Sequence, residues 1–367
     1  MTNQTSNARV TLPGTDYHDE TIFELERKNI FHRVWNCVGR VDALQPGDRQ
    51  VVDIAGESVL IVCDRELNLY AHANVCRHRG AQLCAESGPG PKGSITCPYH
   101  AFSYAMDGRM IATPNVDPAE LDRSELSLWK ITLETWQGFI FVSLAADPPP
   151  LLEWFASHPD TSPLQFARHE MASLRSGRRT VSEVDANWKI LVENYMECLH
   201  CPKVHPELVD VVPFYRDGSV TDVTRADGGV ALLAGGTGFT PGGQSSLPTL
   251  RSMTASDVED YFGLAVFPNL MLDITGTCIM ATMLHPRSAG HTTVVTEYLF
   301  DPDVVDAPGF DPSPVVDFNE LVGRQDYEVC EMVQRGVRSS RFTHGVLAEK
   351  DSLITEVNVR YLSERAG

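Results

Sequence analysis

The sequence predicts an α+β protein: a small antiparallel β-domain near the N-terminus, then a larger domain combining an antiparallel sheet with long helices. Three observations predict it. From Asp48 the apolar pattern alternates with period two, and tight-turn signals recur every few residues. The proline run Pro148–Pro150 makes a natural seam. Beyond it, four apolar runs (Leu264–Phe267, Leu270–Ile274, Cys278–Leu284 and Thr292–Phe300) read as a β-meander, and a long helix follows. The expected division is residues 1–40 as a helical segment packing on the later domain, 41–148 as the β-domain and 149–367 as the second domain.

Taken in order, Asp19 to Trp35 carry a helical stripe of Ile22, Phe23, Ile30, Phe31 and Val34. Val51–Ile54, Val59–Val62 and Leu69–His72 read as strands joined by turns at Ala55–Ser58 and Arg65–Asn68. Phe102–Met106 and Arg109–Ile111 flank an Asp107-Gly108 hairpin turn, and Ile131–Thr135 and Phe139–Leu144 flank Gln137-Gly138. Past the seam come a short helix, Leu151–Ser157, and a strand, Arg179–Val184. Trp188 to His200 reads as a helix that Pro202 stops, pushing Cys201 toward an extended conformation. Val220–Val223 and Val230–Leu233 read as strands. Ser313 and Pro314 open the long helix, which runs to about Arg338.

Composition excludes several classes. The net charge is −19, from 30 basic and 49 acidic residues, with no basic run, which argues against nucleic acid or an anionic membrane as partner. Met1–Asp16 lacks a signal-peptide core, and no apolar run approaches the roughly 20 residues that span a bilayer. A cytoplasmic location is expected. The nine cysteines form no small secreted framework and read as thiols and metal ligands. Gly88–Ser94 breaks the phosphate-loop order at Lys92-Gly93-Ser94, and Gly235–Gly243 lacks the context of a dinucleotide fingerprint.

Two stretches carry metal chemistry. Cys76-Arg77-His78 and Cys97-Pro98-Tyr99-His100 make a C-x-H…C-x2-H pattern on two turns. Zinc pairs in small β-modules are usually C-x2–4-C. A Rieske [2Fe–2S] cluster, with two thiolates on one iron and two imidazoles on the other, suits C-x-H better. Cys84 lies outside the pattern. The second stretch is Asn187 to Glu207. Glu193, Glu197 and His200 fall at i, i+4 and i+7 on one helical face, and His205 approaches from the turn beyond. A helix-end histidine is often only a dipole partner, and Cys198-x2-Cys201 leaves a zinc or redox pair as rivals. On the last helix Asp326 shares a stripe with Val322, Val329 and Val333, where a carboxylate is costly unless paired or bound to a cation. An ion pair with Arg335 or Arg338 is one resolution. His200, His205 and Asp326 as a 2-His-1-carboxylate site for non-haem Fe(II) is the one adopted.

The combination resembles the catalytic α-subunit of Rieske non-haem iron oxygenases over nearly the whole chain, on Cys76, His78, Cys97, His100, Asn194, His200, His205 and Asp326. The resemblance implies an N-terminal Rieske domain, a C-terminal helix-grip domain, O₂ as co-substrate and a homotrimer. It also implies electrons from NAD(P)H through a separate flavin/iron–sulfur reductase, with or without a ferredoxin. The bridge between centres in neighbouring subunits is usually an aspartate; here that position is Glu197. This departure, with the Glu-Asn-Tyr-x-Glu-Cys-x-His-Cys run, is similar to the subgroup that hydroxylates or demethylates betaine-, carnitine- and choline-type quaternary ammonium compounds. Aromatic faces suit such a group. Phe214, Tyr215, Phe239, Tyr261, Phe262, Phe267, Tyr298 and Phe300 are the rings on offer, and Phe267, Tyr298 and Phe262 are singled out as substrate contacts. Two alternatives remain: aromatic ring hydroxylation or O-demethylation on the same scaffold, and an electron-transfer protein without oxygenase activity.

Overall fold

A computed structural model describes residues 9–90, 93–114, 116–117, 120–222, 224–225 and 227–367. Val223, Lys92 and residues 1–8, which figured in the expectations above, lie outside the described residues. The chain forms two compact units, Phe31–Trp154 and the paired segments Met1–Ile30 and Phe155–Gly367. The changeovers sought at 40/41 and 148/149 fall at 30/31 and 154/155.

Helix α1 (Glu20–Glu26) is capped by Asp19, whose carboxylate accepts the Thr21 N–H at 2.7 Å. It passes into a π-helical turn, Arg27–Phe31, so the single helix expected to Trp35 is shorter. The Asn36 amide ends it by donating to the carbonyls of Phe31 and Val34, at 2.8 and 3.0 Å.

The Phe31–Trp154 unit is antiparallel throughout. Its strands are β1 (Asn36–Arg40), β2 (Asp48–Ile54), β3 (Glu57–Cys63), β4 (Leu69–Ala73), β5 (Gly88–Pro89), β6 (Ile95–Thr96), β7 (Ser103–Tyr104), β8 (Met110–Ala112), β9 (Lys130–Trp136) and β10 (Phe139–Ser143). Seven of them form one sheet, in the order β1-β10-β9-β4-β3-β2-β5, and β6-β7-β8 form a second. The turn at Gln137-Gly138 has positive φ at both residues, 50° and 80°, which matches the right-handed twist of its strands. The division between the units falls within helix α2 (Leu151–Ser157).

The larger unit centres on a six-stranded antiparallel sheet. It contains β11 (Arg175–Val184), β12 (Val230–Ala231), β13 (Asp260–Val266), β14 (Leu270–Ile274), β15 (Ile279–Ser288) and β16 (His291–Phe300), in the order β11-β16-β15-β14-β13-β12. The meander is therefore contiguous as expected, with β11 and β12 added at its edges. The strand sought at Val220 does not form over the described residues 220–222. Helices α3 (Trp188–Tyr195), α4 (Cys201–Val204), α5 (Pro206–Val211), α6 (Pro302–Val305), α7 (Ser313–Gly336) and α8 (Ser352–Ala366) complete the unit. The buried face of α7 is Val315, Val316, Phe318, Cys330 and Gln334, whereas Val333 is exposed, so the stripe assigned from sequence was rotated.

Buried charge anchors α3. The Glu26 carboxylate accepts from the Lys189 ammonium at 2.5 Å, the Trp188 indole at 2.8 Å and the Tyr361 hydroxyl at 2.7 Å, all within the core. One carboxylate thereby joins α1, α3 and α8. A buried pair this well hydrogen-bonded is costly to break from one side, by about 3–5 kcal/mol.

Glu193, one turn further along α3, points into the same interior. Tyr17 donates to both its oxygens, at 2.8 and 3.0 Å, and burial pushes its carboxyl up to about 7 against that bond. A carboxyl raised in the folded state favours folding below its ordinary value near 4.5, and that contribution is lost as pH rises through 7. Glu193→Gln keeps an acceptor for Tyr17 and removes the titration. Urea denaturation should show the variant more stable at pH 8 by on the order of 2–3 kcal/mol, and little changed at pH 4. An unaltered stability–pH profile would mean that Glu193 titrates as a surface carboxyl.

Candidate metal centres and active-site cavity

The two Cys/His loops of the smaller unit are built alike. The Gly80 N–H donates to the Cys76 carbonyl at 3.0 Å, and the Ala101 N–H donates to that of Cys97 at 3.1 Å. Both closing residues take positive φ, 72° and 57°. Each loop thus buries its cysteine and presents its histidine outward: Cys76 and Cys97 lie in the core, His78 is exposed and His100 half-buried. The two imidazoles meet edge-on with centroids 4.7 Å apart, and His78 stacks on Phe102 at 4.3 Å. The Tyr104 hydroxyl lies 3.2 Å from the Cys76 sulfur. Two buried thiols beside two paired imidazoles are the donor set that would hold a Rieske cluster, two thiolates on one iron and two imidazoles on the other.

In the larger unit, α3 stops at Tyr195, five residues sooner than expected. Glu197 turns back to accept the Leu199 N–H, and the Cys201 N–H bonds the Cys198 carbonyl at 3.1 Å. His200 therefore stands past the helix end, and Pro202 opens α4 instead of merely stopping α3, since proline suits a first helical turn. Cys198 and Cys201 are joined in a disulfide, which corrects their reading as thiols or as a zinc pair. Glu193 does not share the Glu197/His200 face, because the chain has left the helix before Glu197.

Helix α7 brings Asp326 to these histidines. Its Oδ1 lies 2.8 Å from His205 Nε2 and 3.3 Å from His200 Nε2, and the imidazoles are nearly perpendicular, with centroids 5.1 Å apart. One ligand atom from each of the three lies within 4.8 Å of the others, a group that can hold one metal ion. Arg335 and Arg338 are not the partners of Asp326. Each imidazole has its other nitrogen occupied: His200 Nδ1 meets Glu197 Oε1 at 2.5 Å, and His205 Nδ1 meets Gln325 Oε1 at 2.8 Å. The Gln325 amide in turn donates to Glu207 at 3.2 Å. Burial pulls the His200 imidazole down, but its bonds to Asp326 and Glu197 outweigh this and raise it to about 9. Burial works to raise Asp326, and the two histidines hold it below the usual carboxylate range. Asn194 Nδ2 lies 3.4 Å from His200 Nε2.

A cavity of about 300 Å³ opens beside the triad. Its floor is one face of the sheet, Met271 and Asp273 on β14, Thr282 and Leu284 on β15, and Val294 and Thr296 on β16, in register across the strands. Tyr195, Tyr215, Phe239, Tyr261, Phe318 and Tyr327 supply aromatic surface. Tyr195 and Tyr261 both donate to Asp273 Oδ1, at 2.9 and 2.7 Å. The three rings singled out from sequence do not line it. Phe262 lies on the far side of β13, against Phe166 and His169. Phe267 packs on Trp188 at 6.3 Å. Tyr298 is fully buried, with its hydroxyl given to Asn319 at 2.7 Å. Gln325 and Asp273 were missed; their only signals were adjacency to Asp326 and a lone acid in an apolar strand.

Residues 171–364 match the ring hydroxylating alpha subunit (catalytic domain) family, and residues 34–136 match the Rieske [2Fe-2S] domain. The chain belongs to this family. It is a Rieske non-haem iron oxygenase, whose cofactors are the [2Fe–2S] cluster and a mononuclear iron. Among curated relatives, it is 27% identical to the glycine betaine monooxygenase oxygenase subunit of Pseudomonas aeruginosa, covering 91% of this chain and 84% of that one. The carnitine monooxygenase oxygenase subunit of Escherichia coli is 29% identical, over 90% and 84%. A solved quaternary ammonium Rieske monooxygenase superposes with a TM-score of 0.79 at 23% identity, over 98% and 96%. Among the described residues no helix is long and apolar enough to cross a membrane.

The Gln325–His205 bond should matter for metal retention, because it sets which imidazole nitrogen faces the ion. Gln325→Leu should weaken binding at the triad roughly 10–100-fold while the cluster's absorbance persists. Cobalt titration of the iron-depleted protein measures it. Unchanged affinity would show that Asp326 alone orients the ring.

Proposed function

We propose that this chain is the oxygenase component of a two-component system that hydroxylates a C–H bond beside nitrogen in a small quaternary ammonium compound. The observation that carries this is the two-histidine, one-carboxylate group standing at the wall of an aromatic cavity of about 300 Å³. Relatives named for glycine betaine and carnitine support the substrate class. Cys76, His78, Cys97 and His100 would hold the cluster, and His200, His205 and Asp326 the mononuclear iron. When bound, the two centres supply single electrons and the oxidising power that puts one oxygen atom of O₂ into a C–H bond.

The chain's own residues do the rest. Glu197 and Gln325 keep the Nδ1 protons of His200 and His205 and so turn both Nε2 atoms inward. The cavity rings hold the ammonium group by their faces and exclude water from the reacting carbon. Hydroxylation of an N-methyl group leaves an N–CH₂OH unit, which loses formaldehyde and a proton to give the tertiary amine, so the activity is an oxidative demethylation. Electrons come from NAD(P)H through a separate reductase in the cytoplasm. The enzyme acts as a homotrimer in which Glu197 links His200 to the partner subunit's His100. A solved relative described for inter-subunit electron transfer supports that arrangement.

The test is a substrate panel with a surrogate reductase, scoring formaldehyde, O₂ uptake and ring-hydroxylated products. Formaldehyde equimolar with the ammonium substrate consumed is expected. Ring-hydroxylated products alone would move the enzyme to the aromatic alternative. For the bridge, Glu197→Gln should load both metals yet slow single-turnover oxidation of the reduced cluster roughly 10–100-fold. A wild-type rate would make Glu197 merely an orienting group for His200.

A further inference from the structure

The cavity collects carboxylates. Glu197, Asp273 and Asp326 line it, with Asp160 beside them, and among its described lining residues there is no arginine or lysine. Neighbouring guanidiniums are already committed. Arg360 pairs with Asp160 at 2.6 Å and Glu364 at 3.8 Å, and Arg225 pairs with Asp260 at 2.6 Å and Asp227 at 2.7 Å. In the loaded enzyme the dipositive iron is offset by Asp326 and, through His200, by Glu197. Asp160 has its arginine. Asp273 remains as the unbalanced charge.

The surroundings of Asp273 fit a cation. Tyr261 donates to Oδ1, and Tyr195 shares its proton between Oδ1 and the Leu272 carbonyl at 3.0 Å, so the phenols hold the carboxylate without neutralising it, and Oδ2 takes no hydrogen bond from a described residue. The Tyr261 ring continues into Phe239 at 4.8 Å and meets Tyr215 edge-on at 6.3 Å. Gly263 leaves the room this needs: a Cβ there would overlap the Tyr261 hydroxyl and stand 3.1 Å from that of Tyr195. Burial pushes the Asp273 carboxyl up to about 6, which leaves it ionised at neutral pH.

We propose that the site selects small ammonium ions carrying one positive charge and no anionic group, with Asp273, held by Tyr195 and Tyr261, as their counter-ion. Resting on the ammonium reading above, it narrows that reading. Zwitterions such as glycine betaine and carnitine bring a carboxylate of their own. Here that group would meet Asp273 and Glu197 with no guanidinium or ammonium to receive it, and like charges in a partly dry cavity repel strongly. An alcohol at the same end of the substrate meets no such penalty.

Calorimetric titration of the oxidised holoenzyme, without reductant, tests this with choline, glycine betaine, L-carnitine, benzoate and the neutral isostere 3,3-dimethylbutan-1-ol. Choline should bind at least ~10-fold more tightly than either zwitterion or the neutral alcohol. Asp273→Asn, whose amide oxygen can still accept from both phenols, should cost choline roughly tenfold and leave the neutral alcohol unchanged. Either zwitterion matching choline on the wild-type enzyme would overturn the charge selection alone, because the ammonium reading would then stand. Failure of every ammonium compound, with benzoate bound, would overturn both.

Discussion

One carboxylate oxygen, Asp326 Oδ1, is shared between the Nε2 atoms of His205 and His200, and the larger unit is arranged to make that sharing possible. The three residues come from separate pieces of chain: the loop after α3, the junction of α4 and α5, and the middle of α7. A carboxylate so placed is costly unless a cation meets it. Burial pulls the His200 imidazole down, and its bonds to Asp326 and Glu197 nonetheless raise it to about 9. A metal held there would need both Nε2 atoms free of protons.

Rigidity around this point comes from two directions. Behind α3, the Glu26 carboxylate ties Trp188 and Lys189 to Tyr361 of α8, and the N-cap Asn187 amide donates to the Ala289 carbonyl at 2.8 Å, so the helix start is fixed to the core and to the β15–β16 turn. In front, the outer nitrogens of both histidines are held by Glu197 and Gln325. Neither set of contacts touches the cavity floor. The rings and strand residues that line the cavity can therefore vary without disturbing the triad, which accords with a family that carries many substrates on one scaffold.

Much of this was legible in the sequence, and the failures have identifiable causes. The meander and the paired Cys/His and His/His spacings could be read because periodicity and short spacings are local properties. The end of α3 could not: Pro202 looked like a stop signal, but the chain had already turned at Met196, and proline was free to begin α4. The wrong aromatic rings were chosen because strand periodicity distinguishes two faces without saying which one a cavity occupies. Tyr261 and Phe262 are neighbours on β13; only the former reaches the cavity. Gln325 was invisible because its role depends on the α5 start lying beside α7, a long-range fact with no local pattern. The stripe of α7 was rotated because valines outnumbered the buried Cys330 and Gln334 in the hydrophobic count.

Two interior carboxylates show how burial alone does not assign a role. Burial raises both Glu193 and Asp273, to about 7 and about 6, and tyrosine hydroxyls serve both. Glu193 has both oxygens taken by Tyr17 and does not line the cavity. Asp273 has one oxygen satisfied and the other toward a cavity large enough for a small molecule. The same desolvation makes the first a pH-dependent burden on stability, whereas at the second a proton or an entering cation can relieve it. What separates them is access, which the register of β14 against β15 determines: Met271 opposite Thr282 and Asp273 opposite Met280 place the acid on the cavity face.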